Sequence, residues 1–480
     1  MTETAASVTL EKVIALAKRR GFVYPTSDIY GGLASSYDYG PLGTELLRTI
    51  RNLWWQEMVT RRVDMVGLDT QILLHPQTWV ASGHVSSMND LLVEDAVTHK
   101  RYRADHLIEQ WLARHPQPEP VEVDSLSLEG MAEMIASLRI PSPEGNPLLP
   151  PKAFNVMFQT GIGVVEGEKL PVYLRGETAQ GIFTNFHNIL NSSRLQLPFG
   201  VGQVGKSFRN EITTGQFIFR TLEFEQAEIE YFFDPESTPW QPLFEQWQSA
   251  MWAFLTGALG IRTENLRWRR HSDQERSFYS METYDLEYRF PFGYKELWGI
   301  AYRGDYDLRQ HIEHSGKDLR YTDPRSGRAI IPHVIEPAVG INRLLLMALC
   351  DAYWEDYGAA GDAGQGAPER VVLRFAPALA PYKVAVFPLL KNKPALVEKA
   401  RGLFQTLARR FSAAWDERGN IGKRYYAQDE IGTPFCVTVD FQTLDDDTVT
   451  IRERDTTSQV RLPAGEVPAY LRERIEPSAG

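Results

Sequence analysis

The spacing of hydrophobic residues changes along the chain and divides it into regions. Near the N-terminus, apolar positions recur at helical spacing and predict helices over 9–20 and 44–61. Thr9 and Gly21 are suitable cap residues for the first helix, and Pro41 suits a first helical turn. The second helix carries an apolar stripe, which the pattern alone places in the core rather than at a partner interface. The stripe consists of Leu47, Ile50, Trp54 and Met58.

Residues 85–150 interrupt this pattern and predict an insertion, because prolines bracket an acidic, helix-prone stretch over 121–139. Short strand-like runs then extend over 154–343, with one helical pattern over 233–260. They predict an α+β fold in which helices flank an antiparallel sheet. Strand and helix patterns alternate from residue 382 and predict a separate C-terminal α/β domain. The predicted divisions are 1–84, 85–150, 151–370 and 371–480.

Composition excludes several classes of protein. Of 480 residues, 43% are hydrophobic and 24% charged, as in ordinary globular proteins. No long apolar run predicts a membrane span, and the N-terminus lacks the pattern of a secretory signal. Cys350 and Cys436 are far apart and predict neither a disulfide framework nor a zinc site, which fits a reducing cytoplasm. The net charge of −11 argues against nonspecific nucleic-acid coating, although a local basic surface could still bind RNA.

The segment 200–230 matches two incompatible ATP-binding patterns. Gly200, Gly205, Lys206 and Ser207 have the spacing of a phosphate loop. Such a loop must lead into a helix, whose free N–H groups hold the phosphates. Thr213, Thr214 and Gly215 follow instead, without helical periodicity, so the phosphate-loop interpretation is rejected.

The same segment also predicts a hairpin whose polar side chains line a site. Arg209 and Glu211 would share one face of a first strand, and Phe217–Phe219 is predicted to be extended. A second strand would carry Arg220 and then, on one face, Phe224, Gln226 and Glu228. Arginine can hold a phosphate and a phenyl ring can stack on a purine, whereas a solvent-facing, salt-bridged hairpin is the alternative.

Three distant segments carry further polar residues that packing does not require. They contain Glu177, Glu296 and Glu336. Arg303 and Asp305 follow the second segment, and the third continues through Arg343 into an apolar helix over 344–349. Each alone could be a structural ion pair.

Together these segments resemble class II aminoacyl-tRNA synthetases, and within that class the homodimeric glycyl-tRNA synthetases. The resemblance extends over nearly the whole chain. It is carried by 39–43 with Trp54 and Trp55, by the hairpin and by 340–343. It is also carried by SGHVSSMNDLLVED, RYRADHLIE, LRGETAQGIF and NIGKRYYAQDEIGTPFCVTVD. It implies glycine activation by ATP and Mg²⁺, transfer to tRNA(Gly), a cytoplasmic homodimer and a C-terminal anticodon-binding domain. It also implies that the stripe in 44–61 lies at the dimer interface.

The resemblance also implies roles for individual residues. Arg209, Glu211 and Arg343 would be catalytic, with Phe224 and Arg343 enclosing the adenine ring and Glu296 near ribose or Mg²⁺. The residues implied to bind ATP are Arg209, Asn210, Glu211, Phe219, Arg220, Phe224, Lys295, Glu296, Gly340 and Arg343. Those implied to bind glycine are Arg103, Glu177, Phe224, Gln226, Glu228, Glu336, Ala338 and Gly340.

Several positions depart from the usual family pattern. They are Gly176, Thr214, Gly215, Leu222 and Ala338, together with the absence of a Cys-x-x-Cys pair in 94–103. These departures keep a second hypothesis open, in which a synthetase-like paralogue activates another amino acid or serves another acceptor. An ATP–pyrophosphate exchange assay with different amino acids separates the two.

Overall fold

A computed structural model provides the coordinates. It describes residues 8–475 except 88, 116, 118–120, 122, 124–125, 165–168, 211–215, 273–275, 278 and 358–367. The predicted site residue Glu211 and the departures Thr214 and Gly215 therefore lie outside the described residues.

A seven-stranded sheet forms the centre of the larger part of the chain. Its neighbouring strands are antiparallel, except that the short edge strand Met65–Gly67 runs parallel to its neighbour. This arrangement confirms the predicted antiparallel sheet. In order across the sheet, the strands are Leu266–Arg270, Glu282–Phe290, Gly293–Gly304, His333–Gly340, Glu223–Phe233, Phe199–Phe208 and Met65–Gly67.

Helices cover both faces of this sheet and bury apolar side chains against it. One face packs against Leu10–Arg20, Pro41–Trp55, Trp240–Ala253 and Ile341–Ala352. The other face packs against Ala179–Thr184, Phe186–Ser192 and Tyr306–Ser315. Pairs of short strands lie outside the main sheet: Val23–Pro25 with Tyr37–Tyr39, Gln159–Ile162 with Leu170–Tyr173, Tyr321–Thr322 with Ala329–Ile330, and Tyr353–Asp356 with Arg370–Leu373.

The two N-terminal helices follow their sequence signals. The Thr9 hydroxyl accepts from the Lys12 N–H, and Gly21 ends the first helix with a φ of 77°. The second helix starts at Pro41, and its stripe is buried within the chain's own core. The core interpretation of the stripe is therefore confirmed. The four side chains of the stripe therefore face the chain's own core. The expectation that this helix contributes to a dimer interface stays a prediction.

The insertion has its own small core. The strands Asn89–Glu94, Arg101–Arg103 and Lys152–Asn155 form a three-stranded sheet. Two helices, Ala104–Arg114 and Leu128–Leu138, pack on it through a separate apolar cluster. The short helices Pro76–Ala81 and His84–Ser87 precede this unit.

The C-terminal residues form the predicted α/β domain. Its sheet, in spatial order, consists of Ala413–Trp415, Val384–Pro388, Phe435–Val439, Thr448–Glu453 and Gln459–Pro463. The first three strands are parallel. Its helices are Pro394–Ala408, Ile421–Ile431, Phe441–Asp446 and Val467–Ile475. Among the described helices of the chain, none is long and apolar enough to cross a membrane.

The segment that resembles a phosphate loop is a strand. Gly200–Ser207 lies inside Phe199–Phe208, and its glycines have packing reasons. A Cβ at Gly200 would lie 2.3 Å from the Met65 sulfur, and one at Gly205 would lie 2.2 Å from the Arg175 guanidinium. The glycine spacing reflects close contacts across the sheet, and the rejection of the phosphate loop is confirmed.

The predicted hairpin is correct in its pairing but not in its boundaries. The first strand ends at Phe208, before Arg209, and the second starts at Glu223, after Arg220. Phe217–Phe219 forms a 3₁₀ turn rather than a strand. The turn arises because Gln216 and Phe217 have positive φ angles, which direct the three hydrophobic side chains into the core.

Candidate active site

A cavity of ≈ 290 Å³ lies on the face of the central sheet that carries Gln226 and Glu228. Segments far apart in sequence contribute to it, as the sequence predicted. The predicted site residues that line the cavity are Glu177, Arg209, Phe219, Arg220, Phe224, Gln226, Glu228, Glu296, Glu336, Ala338, Gly340 and Arg343.

Two neighbouring strands bring most of these side chains together. Phe224, Gln226 and Glu228 alternate along Glu223–Phe233 and so project from one face. On the adjacent strand, Ala338 pairs directly with Glu228 and Gly340 pairs with Gln226. Antiparallel register thus places the aromatic ring near one end of the cavity and the carboxylates further along it.

One end of the cavity has two arginines over aromatic rings. The Arg209 guanidinium lies 5.4 Å from the centre of the Phe224 ring, and its Nε donates to the Gly176 carbonyl. The Arg343 guanidinium lies 4.3 Å from the Phe219 ring and also pairs with the Glu296 carboxylate at 3.2 Å. Flat cationic and aromatic surfaces suit a purine and its phosphates.

Arg343 and Glu296 influence each other's chemistry. Burial opposes ionisation of Glu296, but the charge of Arg343 outweighs it and holds the pKa of that carboxyl below its ordinary value. Glu296 therefore carries a negative charge in this part of the cavity.

Buried carboxyl groups dominate the other end. One carboxylate oxygen from each of Glu228, Glu230 and Glu336 lies within 4.8 Å of the other two. Glu228 accepts from the Thr178 hydroxyl and, at 2.8 Å, from the Gln226 amide. Neither oxygen of Glu230 has a hydrogen-bond partner, although the residue is fully buried.

Glu177 has a partner at each of its carboxylate oxygens. One of its oxygens accepts from the Gln180 amide at 3.0 Å, and the other lies 3.1 Å from the His84 ring. Burial opposes ionisation of Glu177, but His84 and then Arg303 outweigh it and hold its pKa below the ordinary value. Glu177 is therefore ionised.

The neighbouring acids shift in the opposite direction. Burial, together with repulsion from Glu336 and Glu177, raises the pKa of Glu228 well above its usual range. Burial and repulsion from Glu336 likewise raise the pKa of Glu230. Burial raises the pKa of Glu336 to about 7, although Arg303 opposes the shift. At this end of the cavity, the ionised Glu177 lies among carboxyl groups that retain protons more readily than usual. Such a site suits a cationic ligand.

Arg303 is an important site residue that the sequence did not assign. It is buried beneath the carboxylates, donates to Asp307 through two nitrogens at 2.8 Å and also donates to Glu336. Its guanidinium lies 4.0 Å from the Tyr279 ring. Arg303 directly follows the apolar run Ile300–Tyr302 and precedes an aspartate by four residues, and this pattern was the available signal.

The far wall of the cavity includes residues that carried no clear signal. His271 and Asp285 both line it, and Asp285 accepts from the His271 ring at 2.8 Å and from Arg269 at 2.9 Å. Burial raises the pKa of Asp285. His271 directly follows the strand Leu266–Arg270, and Asp285 lies on the neighbouring strand, so only the pairing of these two strands brings both residues to the site.

Of the predicted residues that the structure describes, three do not line the cavity. Arg103 pairs with Asp105 through two nitrogens, and the Asn210 N–H donates to the Val156 carbonyl. Lys295 is exposed on the strand beside Glu296. Their roles in binding stay predictions.

Comparisons with known proteins agree with this architecture. A family model described as "Anticodon binding domain" matches residues 383–474. A protein of Caldanaerobacter subterraneus subsp. tengcongensis is 49% identical over 472 residues, which cover 98% of this chain and 99% of the relative. One of Acetivibrio thermocellus is 49% identical over 98% of this chain and 99% of its own length. One of Staphylococcus haemolyticus is 47% identical over 97% and 99%. All three are named "Glycine--tRNA ligase".

Proposed function

The chain belongs to the glycine–tRNA ligase family, and from this membership we propose that it activates glycine with ATP and transfers it to tRNA(Gly). A carboxylate oxygen of glycine attacks the α-phosphorus of ATP, and the bond to the β-phosphate oxygen breaks to release pyrophosphate. A hydroxyl at the 3′ end of the tRNA then attacks the glycyl carbonyl and loses its proton, and AMP leaves.

A single observation in the structure carries this proposal. One cavity has arginines and aromatic rings at one end and buried carboxylates at the other. The first end matches a nucleotide and the second matches the ammonium group of an amino acid. Because both ends belong to one cavity, the amino-acid carboxylate can meet the α-phosphate between them.

At the nucleotide end, the protein supplies positioning and charge. We assign Phe224 and Arg343 to the adenine ring, and Arg209 to the α-phosphate, where negative charge builds up in the transition state. Carboxylate oxygen is a ligand that Mg²⁺ prefers, so the Glu296 side chain fits a Mg²⁺ ion bound with the triphosphate. When bound, this ion neutralises phosphate charge.

At the other end, Glu177, Glu228 and Glu336 would surround the glycine ammonium group. Glycine has no side chain, so its charged ends must supply the affinity. Larger amino acids would be excluded by size, which is easier than rejecting a substrate that lacks a methylene group. A hydrolytic editing site is therefore not required.

We propose that the C-terminal domain recognises the anticodon of tRNA(Gly), since it matches a family described as anticodon-binding. We also place the reaction in the cytoplasm, where the bacterial relatives would meet their tRNA.

We further propose a homodimer. The turn between Val23–Pro25 and Tyr37–Tyr39 exposes Ile29, Tyr30 and Leu33, and the first two are each 87% exposed. A compact group of apolar side chains on a surface is typical of a protein interface. Ile29→Asp should shift the mass measured by sedimentation equilibrium toward that of a monomer. Val164→Asp, which also places a charge at an exposed apolar residue, should leave the mass unchanged. An unchanged mass for Ile29→Asp would contradict this interface.

The activity is tested by ATP–pyrophosphate exchange with glycine, alanine or serine as the amino acid. We expect exchange with glycine and little with the larger two. Charging of tRNA(Gly) transcripts then tests the second step. If exchange did not depend on glycine, or if another amino acid supported it better, the proposed substrate would be wrong.

A further inference from the structure

A buried histidine in the segment SGHVSSMNDLLVED, to which the sequence assigned no role, contacts the proposed glycine site. His84 opens the short helix that leads into the insertion and is only 5% exposed. Its Nε2 lies 3.1 Å from Glu177 Oε2, and its Nδ1 lies 2.8 Å from the Ser82 hydroxyl. The ring meets Trp79 edge-on, with centroids 5.2 Å apart. These contacts fix the ring on three sides.

The direction of the hydrogen bond follows from the chemistry of Glu177. An ionised carboxylate only accepts hydrogen bonds, so Nε2 of His84 carries the hydrogen and donates it. The other Glu177 oxygen accepts from Gln180, whose own side chain is bonded to Asp307 and His311. Glu177 is thus fixed at both oxygens.

We propose that His84 is a positioning residue for the amino-acid site, which holds the Glu177 carboxylate in place and aimed at the glycine ammonium. The inference rests on the proposed role of Glu177 in glycine binding. Losing the His84 donor leaves one buried carboxylate oxygen unsatisfied, so the carboxylate turns away or takes a proton. Either result weakens the attraction for glycine without touching the nucleotide end.

His84 is in turn held by the far end of the insertion. The Asn155 amide donates to the backbone carbonyls of His84 and Val85, at 3.2 and 2.9 Å. Asn155 belongs to the strand in which the insertion rejoins the chain. The two ends of the insertion therefore meet at the residue that orients Glu177, so a displacement of the insertion changes the glycine site.

Two substitutions of similar size separate the roles of the two ring nitrogens. The amide nitrogen of Gln reaches the position of Nε2, which faces Glu177. That of Asn reaches only the position of Nδ1, which faces Ser82. We expect His84→Gln to keep a KM for glycine close to that of the unmodified protein. We expect His84→Asn to raise it about tenfold, with the KM for ATP unchanged in both.

The measurement is pyrophosphate exchange with full-length protein, after thermal melting shows that each variant is folded. His333→Gln is the control, since it changes another partly buried histidine that is bonded to Tyr302 away from the cavity. Equal KM values for glycine in His84→Asn and the unmodified protein would overturn the proposal. So would equal increases in the KM for glycine and for ATP, which would indicate a general structural role.

Asn155→Ala provides a second test if His84→Asn does not fold. We expect a smaller rise in the KM for glycine, again without a change for ATP, and an unchanged KM for glycine would contradict the link to the insertion. Failure of this inference is distinguishable from failure of the proposed function. Glycine-dependent exchange by the unmodified protein tests only the proposed function. The ratio of the KM values for glycine between the variants tests only the role of His84.

Discussion

Proton occupancy of Glu336 is expected to control glycine binding. Its pKa is raised to about 7, so the group is ionised above this pH and neutral below it. Only the ionised form attracts an ammonium ion. The KM for glycine should therefore rise by up to about tenfold per pH unit as the pH falls below about 7, while the KM for ATP changes little.

Pyrophosphate exchange between about pH 8 and about pH 6 measures this effect. Glu336→Gln should bind glycine weakly throughout and show a flatter pH dependence, because the titrating group is gone. A glycine KM in the unmodified protein that does not change over this range would contradict the prediction.

At the scale of single residues, the sequence predicts side chains that share a strand better than side chains that meet across segments. Phe224, Gln226 and Glu228 follow from alternation alone. Arg303 and His84 could not be assigned in the same way, because their partners lie on other elements and only tertiary packing brings them together.

The close contact at Gly43 is expected to limit substitution in the second helix. A Cβ at Gly43 would lie 1.9 Å from the backbone oxygen of Phe22, which cannot move without shifting the backbone that leads into Val23–Pro25. Gly43→Ala should lower the free energy of unfolding by about 1–3 kcal/mol or more. Gly402→Ala is the matched control, since that helical glycine has no atom within 4 Å of the added carbon.

Chemical denaturation of both variants provides the comparison. Gly402→Ala should be neutral or stabilising by up to about 1 kcal/mol, because alanine favours helix more than glycine does. Similar stabilities for the two variants would show that the contact at Gly43 relaxes easily.

Asp95 is expected to stabilise the turns of the insertion. Its carboxylate accepts from the Val97 and Thr98 N–H groups at 2.8 Å, and from the Ser142 hydroxyl and the Asn146 amide. Burial opposes its ionisation, but these hydrogen bonds outweigh burial and hold its pKa well below the ordinary value. The stabilisation is therefore complete above the pKa of the unfolded chain and is lost only in strong acid.

Asp95→Asn should speed amide hydrogen exchange of Val97 and Thr98 at neutral pH. The uncharged amide accepts these hydrogen bonds less strongly than the carboxylate that it replaces. Asp105→Asn, elsewhere in the insertion, controls for a general loss of negative charge. Unchanged exchange at Val97 and Thr98 would mean that the turns hold without this carboxylate.

Elements with strong local signals were predicted well. Thr9, Gly21 and Pro41 mark helix ends that the structure confirms, and Leu396, Ala400, Leu403 and Leu407 form the buried face of a helix as their spacing indicates. Phe217–Phe219 was predicted to be a strand because aromatic and β-branched residues favour one. The positive φ angles of Gln216 and Phe217 accompany burial of this segment in the core, and local residue preference does not predict that burial.

In the whole molecule, buried ion pairs join the C-terminal domain to the rest of the chain. Asp429 is fully buried and accepts from Arg370, which precedes the domain, and from Arg452 within it. Asp429→Ala would leave two buried arginines without this partner. We expect a loss of about 3–5 kcal/mol in the free energy of unfolding.

The same variant should impair tRNA charging more than pyrophosphate exchange, since only the first needs the domain correctly placed. Lys399→Met, which removes an exposed pair with Asp447, should cost less than about 1 kcal/mol. An equal effect of both variants on melting temperature would show that burial does not distinguish these pairs.

The contact between the two ends of the insertion, at His84 and Asn155, also affects how this part of the chain can change in evolution. A segment whose ends are held together by the Asn155 amide leaves and rejoins the surrounding structure at almost one point. Its length can then change at a small cost in chain entropy, and the central sheet need not be rebuilt. Lineages could exchange or enlarge this unit as a module, provided that the histidine and asparagine at its base are retained.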